Sequence, residues 1–452
     1  MANLPESSDW EEGIYQLEAT DPVRGGPGGI SNRQATQLSN RTRFLKEQYG
    51  ALEERVAVLE AFVESGGDGG GNPPPATPKA YGARWHKTQS PTALERIHDA
   101  AEKYFAPSSG SAAGYSSFDS IFPWSGIRRC VVANGAVTAY EGEPWFSLTP
   151  ASGDVMVEIP AYYYKIEETA NYRDYIISDA DPSVVTTPPE GYQLSPRHAP
   201  IPSKPAGQNK IYIGAYTCNS TYRSISGNPP QVNITRATGR AQCRARGTGY
   251  HLMDYAAYWT VAMLYLVEVA NWDSQRAIGQ GVTSGPGPIN TGDTDAVPWH
   301  TGSHAPLDTR RAVKYRWMEN LWGNFWQAVD GFNVNNLTTI YISLDPATYA
   351  DDTAVNYTAL AYTPDTTAYA TYISALGFDA NFPWAQAPTA VSGADGSYIP
   401  DYSYVTSNYS AVWRVLELGG CYYDGSGAGL FSYSTNMPST LGGMCARLMV
   451  LP

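Results

Sequence analysis

The chain has 452 residues, with 30 lysines and arginines against 43 aspartates and glutamates and a formal net charge of −13. No basic stripe interrupts this acidic composition, which excludes a protein that tracks the phosphates of a nucleic acid. The 43 glycines and 33 prolines indicate many turns and long loops rather than a helical protein, and the length allows more than one domain.

Residues 1–35 are polar and rich in turn-forming residues. Asp21 and Pro22 precede a glycine cluster at residues 25–29. Such a segment offers no globular core against which a neighbouring helix could pack.

Residues 36–64 carry the clearest periodic signal in the chain. Mostly apolar residues recur at alternating intervals of four and three, from Leu38 through Thr42 to Val63. This heptad pattern predicts a parallel coiled-coil stalk of about 40 Å, because a lone helix would leave its apolar stripe exposed. The alternative is an amphipathic helix that packs on its own domain. The predicted oligomerisation residues are Leu38, Leu45, Tyr49, Leu52, Val56, Leu59 and Val63.

The heptad pattern by itself leaves the number of helices open. Val56 and Val63 at the a positions, with leucine at the d positions, favour two parallel helices. Thr42 and Tyr49, also at a positions, weaken that preference. Dimer and trimer therefore both remain at this point.

A Gly/Pro-rich linker at residues 65–79 separates the stalk from a large globular region, residues 80–452. Within that region, residues 80–122 are a candidate for a small separate part. A capping box at Thr92 and Glu95 predicts a short helix that ends near Phe105.

The rest of the globular region predicts an α+β fold with short strands, one long helix and long loops. Strands are predicted within residues 127–166 and at 339–342, and the long helix at residues 252–270 with Asp254 as its cap. The longest apolar stretch, residues 255–267, is too short to span a bilayer, which needs about 20 residues. It predicts a buried helix and no membrane insertion.

No catalytic residue, metal ligand or cofactor site is predicted. His300 and His304 are spaced i, i+4 but enclose a glycine and lack the glutamate of a zinc-protease motif, so we interpret them as loop histidines. Neither a nucleophile elbow nor a phosphate-binding loop occurs. A glycosidase carboxylate pair stays open, because such pairs come from distant loops.

Residues 398–437 are unusually rich in tyrosine and serine, with aspartate and asparagine between them. Tyrosine gives a large amphipathic contact area at low entropy cost, and serine and asparagine supply adaptable hydrogen bonds, as in antibody paratopes. The alternative is that these rings fill the core of their own domain. Glycines around them favour loops.

The N-terminal residues resemble the virion-attachment segment of tailed-phage and prophage tail fibre proteins. The resemblance is carried by Gly-Ile-Tyr-Gln-Leu-Glu at residues 13–18, Asp-Pro-Val at 21–23, and the runs at 28–35 and 38–42. It implies that residues 1–46 dock on the tail or baseplate of the particle. Because fibres of this family are usually homotrimers, it favours a trimer over a dimer.

The C-terminal region resembles the C-type-lectin-like fold of phage fibre tips, which is related to the formylglycine-generating enzymes. The similar segments are residues 273–279, 318–327, 419–431 and 446–450. The enzymatic branch binds copper through a closely spaced cysteine pair, whereas Cys421 and Cys445 stand 24 positions apart here. That departure favours a binder over an oxidase, and the tripeptides that bind calcium in sugar-binding C-type lectins are missing from the sequence.

These resemblances imply a receptor-binding tail fibre protein, made in the host cytoplasm and assembled into the virion, with no enzymatic activity. Its partner would be a glycan, pilus or outer-membrane protein on the bacterial surface. Alternatives are a tailspike enzyme that degrades surface polysaccharide, or a structural tail or decoration protein. The predicted receptor contacts are Tyr422, Tyr423, Asp424, Ser426, Phe431, Tyr433 and Asn436, with Tyr402, Tyr404 and Tyr409 as a second group.

Overall fold

The computed structural model describes residues 34–43, 45, 46, 49, 77–336, 338–367, 369–405 and 413–452. The chain divides into two compact units, residues 1–77 and 78–452. The predicted attachment segment up to residue 33, most of the linker, and Tyr409 lie outside the described residues.

The described part of the first unit is helical, at residues 34–43, 45, 46 and 49. On this helix the apolar side chains of Leu38, Leu45 and Tyr49 are 56%, 54% and 61% exposed. The other four predicted stalk residues, Leu52, Val56, Leu59 and Val63, lie outside the described residues. A long coiled coil is thus not part of what the structure describes.

The second unit is a mixed α+β structure, made mostly of sheets with few helices. One sheet has the strand order Gln193–Leu194, Tyr163–Glu168, Tyr172–Ser178, Ala80–His86, Glu95–His98. A second has the order Tyr250–Leu252, Arg447–Val450, Lys210–Thr217, Asp154–Pro160, Arg128–Ala133, Ala136–Tyr140. The strands predicted within residues 127–166 are therefore confirmed.

The third and largest sheet carries the candidate site. Its strand order is Thr358–Ala359, Thr339–Ile342, Gln327–Asn335, Trp413–Leu418, Tyr433–Ser434, Ile399–Tyr404, Tyr369–Leu376, Pro388–Val391. Two small sheets complete the β structure. One has the strand order Met318–Glu319, Lys314–Tyr315, Gly302–Ser303, Ser108–Ser109. The other is the strand pair Phe105–Ala106 and Tyr115–Ser116. The strand predicted at Thr339–Ile342 is confirmed.

The described helices of this unit are Arg236–Arg244, Tyr255–Val269 and Ser274–Ala277. Short 3-10 turns lie at Ser117–Ser120, Trp124–Gly126, Pro346–Thr348 and Gly425–Gly427. None of the helices among the described residues is both long and apolar enough to cross a lipid bilayer.

The helix Tyr255–Val269, called the central helix below, is buried along its whole length. It packs against the first and third sheets, and Tyr255 meets Phe332 of the third sheet with ring centroids 4.8 Å apart. Asp254 caps its start by accepting the backbone N–H of Ala257 at 2.8 Å. The prediction of a buried helix capped by Asp254 is confirmed, since a helix that is apolar on all sides belongs in a core.

The prediction of a helix after Thr92 is wrong. Glu95–His98 is a strand that pairs antiparallel with Ala80–His86. The Glu95 carboxylate lies 2.7 Å from Nε2 of His86, on the neighbouring strand, and does not close a capping box. Sheet pairing has overridden the local signal, as tertiary context often does. The pairing also places residues 80–98 in one sheet with 163–178.

Candidate functional site

The strand Ile399–Tyr404 presents two tyrosines on one side. Because side chains alternate along a strand, Asp401 and Ser403 point inward and are buried, whereas Tyr402 and Tyr404 are only half-buried. Asp401 Oδ2 accepts the backbone N–H of Phe431 at 2.7 Å. The inward side chains thus fix the strand, and the outward rings are left to form a surface.

The neighbouring strand Tyr369–Leu376 adds two further tyrosines. Tyr369 pairs with Tyr404 and Tyr372 with Tyr402 across the ladder. Ring centroids are 5.6 Å apart in the first pair and 4.4 Å apart in the second, both edge to face. Tyr369 is 62% exposed. Two strands that are separated in the sequence therefore build one cluster of four tyrosine rings.

The turn at residues 421–427 closes this cluster on one side. Asp424 Oδ1 accepts the hydroxyl of Tyr404 at 3.1 Å, and its Oδ2 accepts the backbone N–H of Cys421 at 2.7 Å. The hydroxyls of Tyr372 and Ser426 lie 2.8 Å apart. We call the joined set the tyrosine face: Tyr369, Tyr372, Tyr402, Tyr404, Tyr422, Tyr423, Asp424 and Ser426.

Close packing fixes the rings of the tyrosine face. A Cβ atom on Gly427 would stand 2.0 Å from the Tyr402 ring, so only glycine allows the turn to approach it. On the other side, Trp326 meets Tyr404 edge to face at 5.3 Å and Phe325 stacks on Tyr422 at 6.2 Å. The face is therefore supported from below by aromatic side chains.

Two carboxyl groups, Asp424 of the tyrosine face and the buried Glu417, have raised pKa values. Burial raises the pKa of Asp424 to about 6, although the bonds from Tyr404 and Cys421 oppose the rise. Burial, with some contribution from the charge of Asp424, raises the pKa of Glu417 to about 8. Glu417 Oε2 accepts the hydroxyl of Ser434 at 3.0 Å. The Glu417 carboxyl therefore keeps its proton to a higher pH than the Asp424 carboxyl does.

The structure brings together six of the predicted receptor contacts, Tyr402, Tyr404, Tyr422, Tyr423, Asp424 and Ser426. Tyr423 is 65% exposed. Ring faces and hydroxyls suit this surface to stacking and hydrogen bonding with a ligand.

Phe431 and Tyr433 do not belong to the tyrosine face. Both are buried, with Phe431 against Trp272 at 4.6 Å and Tyr433 against Phe332 at 6.1 Å. For these two rings the alternative interpretation, that tyrosine-rich strands fill their own core, holds. Asn436 follows the strand Tyr433–Ser434, is half-buried, and makes none of the contacts that join the tyrosine face.

Sequence reasoning missed Tyr369 and Tyr372. They lie outside residues 398–437, where tyrosine is dense, and join the face only through strand pairing. The signal that could have found them is a second short tyrosine-containing strand, Tyr369–Leu376, with β-branched residues between its ends.

A cavity of about 290 Å³ is lined mainly by the loop at residues 282–289. The backbone N–H of Gly425 donates to the carbonyl of Thr283 at 3.0 Å, which joins the turn to the loop that lines the cavity. The lining residues are Val282, Ser284, Gly285, Pro286, Gly287, Pro288, Ile289 and Arg310.

The described residues contain no group of three or more His, Cys, Asp or Glu side chains placed to hold a metal ion. All five cysteine thiols are free and buried. Burial raises the pKa of the Cys421 thiol, next to the tyrosine face, to about 12. That thiol is therefore a weak nucleophile at neutral pH.

No protein-family model matches the chain, and no curated protein matches it at a significant level. The assignment of function therefore rests on the residues and their geometry.

Proposed function

We propose that this protein is a receptor-binding tail fibre protein of a tailed phage or prophage, and that its tyrosine face attaches the particle to the bacterial surface. The observation that carries the proposal is the clustering of six tyrosines, one aspartate and one serine on a single supported surface. Monomeric proteins seldom expose rings in such a cluster unless they bind something.

The chemistry of the tyrosine face suits recognition of a glycan or protein receptor. Each ring offers an apolar face and a hydroxyl, and the rings lose little entropy on binding because neighbouring rings already hold them. The fold behind the face is mixed α+β, as a C-type-lectin-like tip requires, and we propose that lectin-like assignment for residues 80–452.

The stalk supports the same proposal. Leu38, Leu45 and Tyr49 stand exposed on a helix, and an exposed apolar stripe of heptad spacing is stabilised by burial against partner helices. We propose a parallel homotrimer, with residues 1–46 docked on the phage tail or baseplate. Three tips on one stalk would gain avidity from individually weak contacts.

The test is binding of the fluorescently labelled full-length chain to susceptible bacteria, measured by flow cytometry. Tyr423→Ala and the double variant Tyr369→Ala/Tyr372→Ala are expected to lower apparent affinity by about tenfold or more, as loss of central aromatic contacts does. Tyr104→Ala is the matched control, because Tyr104 is also exposed (57%) but lies outside the tyrosine face.

Unchanged binding by both tyrosine-face variants would contradict the proposal. Incubation with purified capsule or lipopolysaccharide separates binding from the tailspike alternative, since a polysaccharide-degrading enzyme would release reducing ends.

A further inference from the structure

A strained hairpin of the second unit contains none of the residues of the tyrosine face. The strands Lys314–Tyr315 and Met318–Glu319 are joined by Arg316 and Trp317, whose φ angles are +46° and +62°. A two-residue turn with both φ angles positive normally carries asparagine and glycine. Two large side chains there cost backbone energy, and such strain clusters at functional sites.

The core holds Arg316 through ion pairs and Trp317 through one part of its ring. Arg316 Nε donates to the buried Glu268 at 3.0 Å, and one terminal nitrogen lies 2.8 Å from Asp119 Oδ1. A buried carboxylate needs such a partner. Trp317 packs against the hydrophobic core and remains partly exposed.

Trp317 ends a row of four rings, which we call the aromatic platform: Phe105, Trp299, His300 and Trp317. Successive ring centroids are 6.2, 3.8 and 5.1 Å apart. The His300 ring is buried between its neighbours, and the other three rings are partly exposed.

The position of Trp299 within the platform is fixed by Gly114. A Cβ atom on Gly114 would stand 2.0 Å from the Trp299 ring, so the ring lies directly on the backbone. Tyr104 and Tyr115 stack on each other instead, because neighbouring side chains alternate and Tyr104 points away from Phe105.

A carboxylate stands at the edge of the platform. Asp119 Oδ1 is held by His300 Nε2 at 3.0 Å as well as by Arg316, while Oδ2 has no hydrogen bond within the part of the chain that the structure describes. The Asp119 side chain is 38% exposed. Burial opposes its ionisation, but His300 and Arg316 hold the pKa of Asp119 below its usual value. This oriented acceptor thus contacts His300, the buried ring of the platform, whose neighbours Trp299 and Trp317 are partly exposed.

We propose that the aromatic platform and Asp119 form a second binding site, which takes a neutral pyranose sugar. The apolar face of the sugar ring stacks on Trp299 and Trp317, and one hydroxyl donates to Asp119 Oδ2. A carboxylate in a chain of net charge −13 disfavours an anionic sugar. The site shares no residue with the tyrosine face, so it stands whether or not that face binds a receptor.

The test uses the full-length chain and four probes, the methyl glycosides of glucose, galactose, mannose and rhamnose, titrated to high millimolar concentration with tryptophan fluorescence and calorimetry. At least one probe is expected to bind with a millimolar dissociation constant. Trp317→Gly removes the indole and also relieves the positive φ, so the variant should fold and bind about tenfold more weakly. Asp119→Asn should weaken binding several-fold.

The matched control is Trp145→Ala, because Trp145 is an exposed tryptophan (86%) outside the platform, and its loss should leave sugar affinity unchanged. Phe105→Leu provides a second platform variant if thermal melting shows that Trp317→Gly is unfolded. The proposal is overturned if no probe binds, or if both platform variants bind like the wild type. Sugar titration is independent of cell binding, so its failure leaves the proposed function of the tyrosine face intact.

Discussion

Tyr404 donates its hydroxyl to Asp424 across 3.1 Å, and this single bond ties the strand Ile399–Tyr404 to the turn at residues 421–427. Asp424 in turn holds the backbone N–H of Cys421. The acceptor is a carboxylate, and such charge-assisted bonds are stronger than neutral ones. The tyrosine face is thus preorganised before any ligand arrives.

Gly427→Ala is expected to weaken bacterial binding about as strongly as removal of a tyrosine, roughly tenfold. Its new methyl group would occupy the place of the Tyr402 ring and force that ring outward. Flow cytometry with the labelled chain measures the effect. The matched control is Gly239→Ala, where the new methyl group meets the ends of two flexible side chains, Ile234 at 3.2 Å and Leu252 at 3.6 Å. Equal binding by both variants would show that the position of Tyr402 is unimportant.

Glu417→Gln is expected to change how stability depends on pH. The unfolded chain releases this proton near pH 4.5, whereas the folded chain keeps it to about pH 8. Unfolding in that window therefore releases a proton, and the free energy of unfolding falls by up to roughly 1.4 kcal/mol for each pH unit. Glutamine does not titrate, so the variant should gain stability over the wild type between pH 5 and pH 8. Urea unfolding midpoints of the wild type and the variant at pH 5 and pH 8 measure this. A difference in stability between the two proteins that is the same at both pH values would contradict it.

Arg316→Met is expected to destabilise the second unit by about 3–5 kcal/mol, because it leaves the buried Glu268 without its cation. The comparison variant is Arg128→Met. Arg128 also pairs with a carboxylate, Glu158, but is 52% exposed, so its loss should cost less than about 1 kcal/mol. Urea unfolding followed by tryptophan fluorescence gives both values. Similar losses of unfolding free energy in the two variants would mean that the Arg316–Glu268 ion pair stabilises the fold no more than a surface ion pair does.

The double variant Leu38→Glu/Leu45→Glu is expected to dissociate the protein into single chains, since glutamates in a coiled-coil seam repel one another and cannot be buried. Sedimentation velocity on the full-length chain measures the assembly state. Ser39→Glu, at a position outside the apolar a and d positions of the heptad, should leave the oligomer intact. A wild-type chain that sediments as a monomer would disprove the stalk proposal.

Signals that are local in sequence predicted structure well. The central helix follows from an apolar run with Asp254 at its start, and it is apolar on every side because sheets cover it. Tyr402 and Tyr404 were found because tyrosine and serine are dense in residues 398–437, but the loops that the neighbouring glycines favoured are wrong here, since Ile399–Tyr404 is a strand.

Features that depend on long-range pairing could not be predicted. Glu95 lies in a strand because Ala80–His86 is adjacent in space, although Thr92 and Glu95 read locally as a helix start. Tyr433 shows the same alternation with serine as Tyr402, yet it faces the core, and period alone does not tell which side of a sheet meets solvent. Tyr369 and Tyr372 join the site only through pairing with a strand about thirty residues later in the chain.

The alternation within Ile399–Tyr404 also bears on how such a protein could evolve. Asp401 and Ser403 maintain the scaffold from inside, so changes at the outward positions 402 and 404 would leave the backbone ladder in place and remove only the Tyr404 bond to the turn. A lineage that exchanged those rings for other side chains would keep its architecture while the chemistry of this surface changed.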